Sequence, residues 1–412
     1  MIQYEQFTLS NGLQVIVHED CSTPMAVMNV MYNVGAKDEN PDKTGFAHLF
    51  EHLMFGGSLH IPTYDEPLQL AGGENNAYTT NDLTNYYIQL PAQNIETAFW
   101  LESDRMLSLA FNEKSLEIQR KVVCEEFKEH YINKPYGDVW KHIRELAYTK
   151  HPYNWMTIGK ELSHIENATL NDVKAFFFQY YRPINAILVV AGNVTIDQVK
   201  GLSEKWFAPI PAGNKYIRQL PAEPKQMIAR KKEVKANVPL DALYKCWPIC
   251  GRLDNLYYST DLITDILGGG SSSRLYQSLV KEKKLFSNIH CYHLGSIDPG
   301  LLTIEGKLVK GVSLEEADKS VTKEIEQFLV EGVAERELKK VKNKTESSIT
   351  FEDMSLLSRA NSLAFYTLLG NTSLINVELN RYQEVTIKNI NDTVAAIFDA
   401  DHSNTLYYRS VV

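Results

Sequence analysis

Apolar and polar positions along the chain mark a run of strands and helices. In FTLSNGLQVIVHED two β-prone apolar runs flank Asn11-Gly12, and an Asn-Gly pair between such runs predicts a tight hairpin. PMAVMNVMYNVGA follows, apolar almost without a break up to Gly35, the pattern of an inner strand. HLFEH, residues 48–52, leads into Leu53, Met54 and Phe55 and reads as a helix broken at Gly56-Gly57. NNAYTTNDLTNYYIQLP is a second β-rich region, stopped by Pro91. Helical spacing runs from 95 to 109, over a longer stretch from 113 to 131, and around 139–148. NAILVVAGNV (185–194) has the pattern of a buried strand, and TIDQVKGLSEKWF after it reads as a helix.

Residues 208–240 differ in character. Pro209, Pro211, Pro221 and Pro224 punctuate them, and Lys225, Arg230, Lys231, Lys232 and Lys235 make them basic. This stretch is read as the connection between two halves, 1–215 and 216–412. The second half repeats the first: ALYKCWPICGRLDNLYYSTDLITDILGGGS can be laid on AVMNVMYNVGAKDENPDKTGFAHLFEHLMFGGS. In that overlay His48, Glu51 and His52 fall on Asp261, Thr264 and Asp265, so the chemistry is expected in the first half.

At 412 residues the chain is long enough for more than one core. A net charge of −9 without a basic run excludes nucleic acid as the main partner. No apolar run reaches the ~18–20 residues of a membrane helix, and MIQYEQFTLSNG lacks the basic and apolar regions of a signal peptide. The five cysteines are odd in number and scattered, which fits reduced thiols and a cytoplasmic location. Cys246 and Cys250 are spaced CxxxC without a second pair and are read as strand residues.

The HLFEH stretch carries the candidate chemistry. Residues at i, i+3 and i+4 share a helix face, so His48 and His52 can reach one ion, and zinc favours such nitrogen ligands. Glu51 lies beside that face, where a carboxylate can take a proton from water activated by the metal. HxxEH is the mirror of HExxH. Two histidines at this spacing can also cap a helix or hydrogen-bond in a core, but the pair with a carboxylate favours the metal. A third ligand is sought in QRKVVCEEFKEHY, where Glu125, Glu126 and Glu129 lie on a predicted helix that Val122, Val123 and Phe127 bury on one side. Glu125 points elsewhere; Glu126 and Glu129 share a face, and spacing does not choose between them. An ordinary solvated acidic face would look the same.

In LSNGLQVIV, NVGAKDE, TGFAHLFEHLMFGGS, NNAYTTNDLTNYY, QRKVVCEEFKEH, HPYNWMTIG, YYRPINAILVVAGNV and GGGSSSRLYQSLV, in that order, the chain resembles the pitrilysin/insulinase family of zinc peptidases, in the branch of the mitochondrial processing peptidase and its bacterial relatives. The resemblance implies an α+β fold of two homologous domains, each a mostly antiparallel sheet of about six strands packed against helices. It implies Zn2+ held by His48, His52 and Glu126, the last 74 residues beyond His52, with Glu51 as general base. That span is slightly shorter than the family's usual one, and a short deletion after Gly57 is inferred. Where the family has a supporting glutamate seven residues before the third ligand, this chain has Gln119. Asn76, Ala77 and Tyr78 resemble the family's substrate edge strand, which binds extended peptide by β-augmentation; they would otherwise be a sheet edge capped by polar side chains.

One pair of family residues is missing. Many members carry an arginine in the second half and a tyrosine seven residues on, which bind substrate or stabilise the tetrahedral intermediate; here the positions are Val280 and Ser287. Arg274 is nearby but offset along its helix. The resemblance therefore implies a homodimer, or a heterodimer with a homologous chain that supplies the arginine and tyrosine, enclosing a chamber that takes short or unfolded peptides. The expected function is a zinc metalloendopeptidase; the alternative is a non-catalytic assembly subunit of a processing-peptidase-like complex.

Overall fold

The computed structural model describes residues 1–411, which fall into two compact units. The first is built on six strands: β1 (Glu5–Thr8), β2 (Gln14–Glu19), β3 (Met25–Tyr32), β4 (Glu74–Thr79), β5 (Thr84–Pro91) and β6 (Ala186–Gly192). Their order in the sheet is β1-β2-β6-β3-β5-β4. All neighbours are antiparallel except β2 and β6. The Asn-Gly hairpin forms as its sequence demands: Gly12 turns with φ 88°, and its N–H donates to Leu9 O at 2.9 Å. β3 lies between β6 and β5, which is why it is apolar on both faces.

The second unit contains five strands rather than the expected six: β7 (Arg230–Ala236), β8 (Ala242–Pro248), β9 (Phe286–His293), β10 (Leu301–Leu308) and β11 (Asn404–Ser410). Their order is β7-β11-β8-β10-β9, with only β7 and β11 parallel. Matching β7 to β2, β11 to β6, β8 to β3, β10 to β5 and β9 to β4 reproduces the first sheet's order and its one parallel pair. The repeat read in the sequence is thus a repeat of topology, without a counterpart of β1. β7 begins inside the stretch read as a connection. Its charges, RKKEVKA, suit an edge strand, where lysines discourage pairing with another chain.

The units divide by contact rather than at residue 215. Residues 130–154 belong to the second and 350–377 to the first. Each transferred segment carries an amphipathic helix that buries its stripe on a sheet. Val139, Ile143 and Ala147 of the Val139–Ala147 helix pack with Ala242, Tyr244, Leu406 and Tyr408. Ala360, Leu363 and Ala364 of the Leu356–Leu368 helix pack with Val27, Met31, Val189 and Ala191. Asn361 on the latter also accepts hydrogen bonds from the buried Asn29 and Asn85 amides of the sheet.

Candidate metal centre

The HLFEH helix spans Phe46–Leu53 and buries Phe46, Ala47, Leu49, Phe50 and Leu53. Phe50 stacks at 5.0 Å on Phe176 and 5.1 Å on Tyr181, which fixes the rotation of the helix about its axis. Its first turn leaves backbone N–H groups that need acceptors. Gly45 precedes it at φ 88°, where a Cβ would come within 2.5 Å of Ile158 O, so no side chain there can cap the helix. Glu39 does so instead: its carboxylate accepts from Gly45 N and Ala47 N, both at 2.8 Å, and from Trp155 Nε1 at 3.1 Å. Burial pushes the Glu39 carboxyl up to about 8, against these three donors.

The remaining stripe of the helix presents His48 and His52, their ring centroids 4.8 Å apart. Glu126 reaches them from the Glu113–Phe127 helix. Its Oε2 lies 3.7 Å from His48 Nε2 and 3.4 Å from His52 Nε2, and the ligand atoms of the three residues all lie within 4.8 Å of one another. Two ligands on a tetrahedral zinc at ~2.0–2.1 Å stand about 3.3–3.4 Å apart. Two imidazoles and one carboxylate at this spacing therefore fit zinc with a coordination position to spare. His48, His52 and Glu126 are the one such group of metal-ligating side chains among the described residues.

Of Glu126 and Glu129, between which spacing did not choose, the structure brings Glu126 to the two histidines. The α-helix ends at Phe127, and residues Lys128–Asn133 form a wider turn that carries Glu129 into solvent. Glu125 is exposed and pairs with Lys128 at 2.8 Å. Val122, expected to be buried, is 40% exposed, and Val123 and Phe127 make the buried side. Gln119 is half-buried two turns before Glu126, on the same face of the helix.

Glu51 stands beside the ligands, and burial raises its carboxyl above the ordinary carboxylate range, with the Thr79 hydroxyl and His52 opposing. Thr79 donates from Oγ1 to Glu51 Oε2 at 2.5 Å. Thr79 ends β4, which pairs with β5 on one side only and forms the sheet edge. Asn76 and Tyr78 turn outward on this strand and Ala77 is half-buried; Ala77 N donates to Asn76 Oδ1 at 2.8 Å. Glu39 and Thr79 were missed by the sequence reading. Their one signal was a polar residue beside the motif, in NVGAKDE and in NNAYTT.

In the second unit the carboxylates at the overlaid positions are bound by donor side chains of that unit. On the Tyr257–Gly268 helix, Asp261 accepts from His293 Nε2 at 2.9 Å and from Tyr382 OH at 2.7 Å, and Asp265 pairs with Lys344 at 2.6 Å. Thr264 donates to Asp261 O at 2.7 Å. Val280 is half-buried against that unit's core, and Ser287 is exposed on β9. Arg274 is fully engaged: it binds Glu337 at 2.8 and 2.6 Å and Gly332 O at 2.7 Å, and lies 4.3 Å from the Phe328 ring centroid. It does not replace the missing arginine.

Two histidines on one helix and a glutamate on another form a zinc-type site, beside a further carboxylate and a sheet edge, in a fold of two repeated α+β units. The family description Insulinase (Peptidase family M16) matches residues 14–160, and Peptidase M16 inactive domain matches residues 167–345. The chain belongs to the M16 peptidase family. The zinc protease PqqE of Helicobacter pylori is 31% identical over 350 residues, covering 82% of this chain and 78% of that protein. The mitochondrial-processing peptidase subunit beta of Saccharomyces cerevisiae is 27% identical over 206 residues, covering 49% of this chain and 44% of that one. The crystal structure of a protease from Helicobacter pylori superposes with a TM-score of 0.92 at 27% identity, covering 99% of this chain and 100% of that one.

Proposed function

We propose that the chain is a zinc metalloendopeptidase acting on short or unfolded peptides. The observation that carries this reading is the convergence of His48, His52 and Glu126 within 4.8 Å, with Glu51 beside them. A zinc ion held by these three side chains would supply polarisation of the scissile carbonyl and activation of water. Glu51 accepts the proton of the attacking water and passes it to the leaving amine. The outer edge of β4 at Asn76, Ala77 and Tyr78 holds the peptide extended through main-chain hydrogen bonds. The intact ligand set weighs against the assembly-subunit alternative.

Val280 and Ser287 leave the second unit without the expected donors to substrate, which supports a two-chain enzyme, either a homodimer or a heterodimer whose homologous partner brings arginine and tyrosine. The five free cysteines suit a reducing, cytoplasmic setting. The test is hydrolysis of a quenched, unstructured peptide of about ten residues, long enough to add as a strand, by the zinc-loaded chain, alone and with such a partner. Cleavage that vanishes in Glu51→Gln supports the proposal. Zinc-loaded protein that cleaves nothing under either condition, or equal cleavage by the variant, overturns it.

A further inference from the structure

The substrate edge and the general base are joined by one side chain. Along β4 the exposure alternates: Glu74, Asn76 and Tyr78 are exposed, while Asn75, Ala77 and Thr79 are half-buried. Thr79 is the last residue of the second set. A tight turn immediately holds it, with Thr80 N donating to Leu83 O at 2.9 Å and Thr80 Oγ1 accepting from Asp82 N and Leu83 N at 3.0 and 3.1 Å. Across the strand pair, Thr84 stands opposite Thr79 and donates to Val34 O at 2.9 Å. The backbone of Thr79 is thus fixed by its neighbours, and a β-branched side chain on a fixed strand has few rotamers. Its hydroxyl ends 2.5 Å from Glu51 Oε2.

Glu51 needs such a restraint. It lies on the helix face beside His48 and His52, and a glutamate carboxylate, on three rotatable bonds, reaches several positions unless something holds it. A base must meet its proton within hydrogen-bond distance. We propose that Thr79 is a positioning residue, fixing the carboxylate of Glu51 from the same edge strand that docks the peptide. The proposal rests on the peptidase reading above. Thr79 is not among the residues that would hold the metal. Its hydroxyl donates to one oxygen of Glu51, Oε2.

The test compares zinc-loaded wild type, Thr79→Val and Thr79→Ser, by crystallography, metal analysis and steady-state cleavage of the quenched peptide. Valine keeps the shape and strand propensity of threonine without the donor, so the fold and about one zinc per chain are retained. The Glu51 carboxylate is displaced in the valine variant and in place in the serine variant. The turnover number falls by about 10- to 100-fold in Thr79→Val, KM stays within about two-fold, and Thr79→Ser recovers most of the loss. An unmoved Glu51 in Thr79→Val overturns the proposal, as does a loss confined to KM or a loss of zinc. If the wild type cleaves nothing, the peptidase reading falls separately, and the position of Glu51 in the two variants still decides the role of Thr79.

Discussion

Lys344 Nζ lies 2.6 Å from Asp265 Oδ1, and Asp265 stands on its helix where the first unit has His52. The neighbouring Asp261, at the place of His48, accepts from His293 and Tyr382. Duplicated scaffolds have thus met the same requirement in two ways. A helix face that turns polar groups toward a partly buried space needs something to bind them: one unit gathers two imidazoles and a carboxylate that could hold a metal ion, and the other supplies an ammonium, an imidazole and a phenol.

That arrangement gives a stability prediction. Asp261→Ala leaves the His293 ring, 4% exposed, and the Tyr382 hydroxyl without their acceptor. The expected cost is about 1–3 kcal/mol of unfolding free energy, read by urea denaturation. Zinc content is unchanged, because these groups do not belong to the metal site.

Glu126→Ala should lower zinc affinity by more than about 100-fold, exceeding the loss usual for a residue that only supports a ligand. Glu129→Ala should leave it unchanged. Titration against a competing chelator separates the two, and the reverse result would move the third ligand into the wide turn after Phe127.

Glu39 should matter at a distance. Its carboxylate satisfies Gly45 N, Ala47 N and Trp155 Nε1 at the start of the HLFEH helix. Glu39→Ala strands the Gly45 and Ala47 N–H groups, while Trp155 Nε1 keeps Ala36 O at 3.0 Å; the expected cost is about 1–3 kcal/mol, and the helix that presents His48 and His52 loosens. Thermal unfolding of the metal-free and zinc-loaded protein should show a lower Tm in both, with part of the loss restored by zinc.

Ala77→Pro tests the substrate edge. The turn at Thr80–Leu83 and the bond from Ala77 N to Asn76 Oδ1 direct the Ala77 N–H away from β5. Proline on an edge strand with its nitrogen outward is tolerated, so the fold should hold. A docking peptide loses one main-chain bond, which at about 0.5–1.5 kcal/mol corresponds to a rise in KM of roughly two- to ten-fold. An unchanged KM would place the peptide elsewhere.

Asp20 sets an acid limit. Ser22 donates to it from Oγ at 2.6 Å and from N at 3.0 Å, and Arg359 pairs with it at 2.6 Å; the Ser22 bonds first, then the guanidinium, hold its carboxyl down at about 2. The folded value is below that of the unfolded chain, so this stabilisation is present above about pH 4 and is lost as pH falls from there toward 2. Asp20→Asn should be less stable than wild type at pH 5–7, and the gap between them should close by about pH 2. Denaturant midpoints across that range measure it.

Much of this was legible from local pattern, because it depends on residues close in sequence. The Asn11-Gly12 turn, the continuous apolarity of β3 and the 3.6-residue spacing of the helix Ile95–Leu107 act within a few residues, and each formed where expected. The spacing of His48, Glu51 and His52 needs only a helix to bring them onto one side. Three-dimensional packing was needed wherever the partner lies far along the chain. Glu126 and Glu129 are three residues apart, and with the helix ending at Phe127 the first faces the histidines and the second is exposed. Glu39 and Thr79 are polar residues in strand and loop until the fold places them against the helix. The helices Val139–Ala147 and Leu356–Leu368 carry apolar stripes that any sheet could bury, and a stripe does not say which sheet it will meet. Backbone preference is local, whereas burial and coordination are satisfied only by groups the whole chain brings together.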